Sequence, residues 1–144
     1  MGGPIAFYRK IELQSISQAK IDDAKLLLEN GRSSNAYYLA GYAVEIGLKA
    51  CIASQISAAV LPDKRFINDT YVHDLRKLIG VAGLSHELST KEENDINFAT
   101  NWAIVAQWTP EKRYEGVDQY TAQILVEAIA QEGSGVLPWI RTFW

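Results

Sequence analysis

A chain of 144 residues, 48% hydrophobic and 22% charged, has the length and make-up of one ordinary globular domain. A formal net charge of −3 argues against a domain whose whole surface grips nucleic acid, and leaves room for a local basic patch. One cysteine and two histidines rule out an internal disulfide and give no ligand spacing for zinc, so neither a metal nor a cofactor is expected.

Residues 1–14 read as an arm. No basic start followed by an apolar run opens the chain, and the expectation is a cytoplasmic protein. From Ile16 a helical pattern sets in, with Ala19, Ala24, Leu27 and Leu28 inside and Asp22, Asp23 and Lys25 outside. Asn30-Gly31 ends it, because both residues tolerate the left-handed conformation. Ser33 or Ser34 then caps a long second helix, Ser33–Ser57. This stretch has no proline, and its only charges are Glu45 and Lys49. A helix apolar nearly all round belongs inside a bundle. Polar residues interrupt it too often for a membrane span, and no membrane association is expected. One stripe is small: Ala36, Ala40, Ala43, Gly47, Ala50 and Ser54. Another is bulkier: Leu39, Tyr42, Ile46, Ala53 and Ile56. Glu45 precedes Lys49 by four, the favourable order for a helical ion pair. The pair either sets bundle register or lines a pocket. Cys51 reads as a buried thiol behaving as a small hydrophobe.

Leu61-Pro62-Asp63 is a break, and residues 58–73 read as a long loop that offers Lys64 and Arg65 to an anionic partner. His73 or Asp74 caps a short helix from Leu75 to about Val81, stopped by Gly83. Ser89 and Glu92 have capping-box spacing, which predicts a helix from there to about Trp108, with Ala99, Trp102, Ala103 and Ala106 on one face. Thr109-Pro110-Glu111 is a stop and a turn. Asp118 caps a helix from Gln119 to about Gln131, with Ile124 and Ala128 facing in. The last segment, Leu137–Trp144, carries Trp139, Phe143 and Trp144, which either cover the bundle end or form a dimer contact. No strand-like alternation of useful length appears. The expected fold is all-α: one domain over residues 1–144, an antiparallel up-down bundle of four or five helices with a short extra helix and an aromatic C-terminal helical tail.

The run Y-L-A-G-Y-A-V-E-I-G-L-K-A, Tyr38 to Ala50, resembles the second-helix signature of HEPN domains, small helical domains often found beside nucleotidyltransferases. The resemblance continues at His73-Asp74-Leu75, ends near Arg113-Tyr114, and covers the chain from about Ala19 onward. Active ribonucleases of that family carry an Arg, four to six residues, then a His. Here Arg65 and His73 have seven residues between them, and Arg76 and His86 have nine. The resemblance therefore implies a non-catalytic binding domain. It would act in RNA- or nucleotide-related processes, of a toxin–antitoxin kind, as a homodimer with a nucleotidyltransferase partner. It singles out Glu45, Lys49, His73, Arg113 and Tyr114 as ligand-binding positions. Trp108 joins them because aromatics interleaved with Lys112 and Arg113 suit base stacking and phosphate contact. Two alternatives stand beside this. One is a metal-independent endoribonuclease with His73 as acid or base and Arg65 or Arg113 on the phosphate. The other is a purely structural protein-interaction module.

Overall fold

Eight α-helices and one 3-10 turn follow one another in the computed structural model, which describes residues 9–56 and 62–144 and, at Arg113, the backbone alone. No strand occurs among the described residues, as the missing alternation implies. Most of the expected arm, the last residue of the expected second helix, and residues 58–61 of the expected loop lie outside the described residues.

The first helix, α1 (Lys10–Glu29), starts earlier than its apolar periodicity. The expected arm is thus helical from Lys10, since residues 10–14 contain no helix breaker to stop the propagation of a turn already formed. Asn30 and Gly31 end α1 as expected. Gly31 adopts φ +73°, and the Asn30 side-chain amide donates to the Leu26 carbonyl at 2.8 Å. Helix α2 (Ser33–Ala53) follows, but neither Ser33 nor Ser34 caps it. Ser33 Oγ donates to Gln119 Oε1 at 2.6 Å, and Ser34 Oγ accepts from the Val117 amide at 3.1 Å. Both hydroxyls are spent on another part of the chain.

The expected loop contains a short helix, α3 (Lys64–Asp69), whose cap Asp63 accepts from the Phe66 amide at 2.7 Å. Helix α4 (Leu75–Val81) is capped by Asp74, not His73, and Gly83 closes it at φ +74°. The single helix expected from Ser89 is two: α5 (Ser85–Asn94) and α6 (Ile96–Val105). Ser89 lies inside α5, and the working cap is Asp95, which accepts from the Phe98 amide at 3.0 Å. Phe98, Trp102 and Val105 form the buried face of α6, while Ala103 is exposed. The large residues rotate the helix so that they, rather than the alanines, leave water. After the 3-10 turn Pro110–Tyr114 come α7 (Gln119–Ala130), capped by Asp118 as expected, and α8 (Val136–Arg141).

Helices α1, α2, α6 and α7 run up and down. The short turn at residues 30–32 makes α1 and α2 an antiparallel pair, bonded where Ser17 Oγ donates to the Ala43 carbonyl at 2.7 Å. Ser33 and Gln119 tie the starts of α2 and α7, and Asn101 of α6 reaches Gln131 and the Ser134 carbonyl at the end of α7. The small stripe of α2 is what lets neighbours close in. A Cβ on Gly47 would meet Ser17 Oγ of α1 at 3.3 Å and Leu137 of α8 at 3.3 Å. Trp139, Phe143 and Trp144 are half-buried against this core, with Trp139 5.2 Å from Phe98 and 5.1 Å from Phe143 between ring centres. The tail covers the bundle.

Candidate functional site

Helix α2 is buried on every side but one. Residues of its bulky stripe form the floor of an open cleft of about 780 Å³. Tyr38, Leu39, Tyr42, Ile46 and Ile52 supply the floor; Leu13, Ile16 and Lys20 of α1 supply one wall; Phe66, Ile67, Thr70 and Tyr71, on and beside α3, supply the other. This volume lies within the roughly 300–1,000 Å³ of small-molecule sites.

Glu45 and Lys49 are both in the cleft lining. Glu45 is 1% exposed, and its carboxylate is fully engaged. Lys49 Nζ donates to Oε2 at 3.0 Å, and His73 Nδ1 lies 2.9 Å from Oε1 and 3.0 Å from Oε2. A carboxylate only accepts, so Nδ1 of the half-exposed ring carries a proton directed at it. An unpaired carboxylate at this depth would cost several kcal/mol, roughly, and two donors from separate parts of the chain remove that penalty. The His73–Glu45 bond thus fixes the segment before α4 onto α2, and the Glu45–Lys49 pair places its charges in the cleft lining.

Behind the floor stands Trp108. It is 1% exposed, and its indole lies on the backbone of Gly41, where any Cβ would fall 2.1 Å from the ring. Tyr38 and Tyr42 pack on it, at 6.4 and 6.3 Å between ring centres. Trp108 therefore lies in the core and supports the cleft tyrosines without facing a ligand. Tyr114 is 77% exposed on the 3-10 turn and does not line the cleft. The side chain of Arg113 lies outside the described residues. Of the positions singled out in the sequence, the structure brings Glu45, Lys49 and His73 together and leaves Trp108 and Tyr114 apart from them. Arg65 is exposed on α3.

Sequence reasoning missed Lys20, Leu13, Phe66 and Tyr71. Lys20 sits half-buried with its ammonium 6.0 Å from the centre of the Tyr42 ring. The available signal was the bulky stripe of α2, which leaves an apolar face with nothing assigned to it. Among the described residues no group of three or more His, Cys, Asp or Glu could hold a metal ion, and no helix is long and apolar enough to cross a membrane.

Compared with models of protein families, with curated proteins and with solved structures, the chain matches none.

Proposed function

We propose that this chain is a non-catalytic, HEPN-like binding domain whose working surface is the cleft over α2. It serves a nucleotide- or RNA-related process in the cytoplasm, as a homodimer and beside a nucleotidyltransferase partner, in the manner of a toxin–antitoxin pair. The observation that carries this is the buried Glu45 carboxylate, paired with Lys49 in the lining of an open, aromatic-floored cleft and bonded to the half-exposed His73. Aromatic faces beside ammonium groups suit a nucleobase and its phosphate. The test is a titration with AMP, ATP and a short single-stranded RNA, followed by intrinsic tryptophan emission, since Trp108 touches two cleft tyrosines. Saturable binding that Lys49→Ala weakens upholds the proposal; no response to any of the three ligands removes it. Light scattering at tens of micromolar checks the homodimer.

One observation favours a second reading, the metal-independent endoribonuclease. His73 is oriented through Nδ1 by a buried carboxylate, as a general base requires. RNA cleavage that survives EDTA and is lost in His73→Ala supports it; intact RNA eliminates it.

A further inference from the structure

The cleft has a charge balance that narrows what it holds. Lys49 and Glu45 cancel each other across 3.0 Å. Lys20 enters none of the ion pairs found among the described residues, and no carboxylate other than that of Glu45 lines the cleft. On a chain of net charge −3, this apolar surface therefore carries one uncompensated positive charge, held over an aromatic ring.

We propose that the cleft is a site for one small amphipathic anion: an apolar ring system or acyl chain bearing a single carboxylate, sulfonate or phosphate group that meets Lys20. The inference rests on the cleft being the working surface and goes further by naming the chemistry of the occupant. Leu13, Leu39, Ile46 and Phe66 enclose the apolar body, whose burial supplies most of the affinity. The ammonium selects the sign of the head group, and an ion facing a low-dielectric wall is screened less than one on open surface. A cationic amphiphile finds no open carboxylate, because Glu45 is 1% exposed and both its oxygens are taken. A nucleic-acid strand needs a groove of repeated positive charge along its backbone. The cleft supplies one free cation among the described lining residues.

The test uses the 144-residue chain and three probes below any micelle-forming concentration: dodecanoate, dodecyltrimethylammonium and AMP. Each is titrated by calorimetry and by displacement of the fluorescent anion anilinonaphthalene sulfonate. Dodecanoate is expected to bind one per chain and to displace the dye, with the cation of equal chain length about fivefold weaker or worse. Lys20→Gln, a half-buried change with no bonded partner to strand, is expected to erase most of that preference without moving the melting temperature. Equal affinity for the two chains, several anions per protein, or a preference untouched by Lys20→Gln overturns the proposal. AMP separates it from the nucleotide reading. Dodecanoate bound with AMP rejected keeps the anion site and removes the nucleotide. AMP competing with dodecanoate upholds both.

Discussion

Glu45 is a carboxylate in the most apolar helix of the chain, and its energetics follow from what surrounds it. With Lys49 and His73 in place the charge is balanced; with one partner removed it is stranded. Lys49→Met is expected to cost about 2 kcal/mol in urea denaturation, less than a fully buried pair because the lysine side chain is 23% exposed. The double change Glu45→Leu with Lys49→Leu is expected to recover most of that loss, since it removes the stranded charge along with its partner. A double variant as unstable as the single would contradict this. Gly41 gives a second residue-scale expectation. Its missing Cβ is the space that the Trp108 ring occupies, and Gly41→Ala forces that indole aside. The expected cost is about 3 kcal/mol by denaturation, with a shift in tryptophan emission. A variant of native stability would mean that Trp108 relaxes freely.

At the scale of elements, the caps separate what sequence discloses from what it conceals. Asn30-Gly31, Asp74 and Asp118 act within four residues of themselves, so the local pattern identifies them. Ser89 and Glu92 have the same spacing and cap nothing, because α5 already starts at Ser85. Asp95 is the cap that matters, and it also accepts from Ser134 Oγ at 2.9 Å, thirty-nine residues away. The amide of Phe98 is the main cause holding the Asp95 carboxyl below its usual value of 3.8, with Ser134 and Lys91 assisting. The Thr121 amide does the same for Asp118. A carboxyl lowered by folding contributes stability that is complete above 3.8 and lost as pH falls through the folded value. Asp95→Asn keeps a competent cap and removes the titration. Its acid-unfolding curve, followed by far-ultraviolet circular dichroism, is expected to be shallower than that of the parent, with helix content at neutral pH unchanged. The site divides in the same way. Glu45 and Lys49 are legible because they share one helix and stand out on it. The bond from His73 spans twenty-eight residues, and Lys20 looks like any surface lysine until α1 is laid against Tyr42.

Across the whole molecule, one apolar core joins α1, α2, α4, α6, α7 and α8, and Cys51 lies inside it at 1% exposure. Its thiol faces the Ile140 carbonyl at 3.6 Å, and burial pushes it up from 9.0 to about 11. The thiolate is the reactive form, so the native thiol is both inaccessible and protonated. Alkylation by iodoacetamide at pH 8 is expected to be negligible in buffer and to rise only through the urea unfolding transition. Prompt labelling of the native protein would show that α8 detaches without global unfolding. The direction of the shift also implies that stability from this group is intact below 9.0 and lost as pH climbs from there to about 11.

The bond between His73 and Glu45 has a consequence for descent. Three positions, 45, 49 and 73, hold one charge in balance, and two of them lie in a different segment from the third. A lineage that replaced the carboxylate with an apolar side chain would free the lysine and the imidazole together. In any set of relatives these positions should therefore be inherited as a block, kept as a trio or surrendered as one.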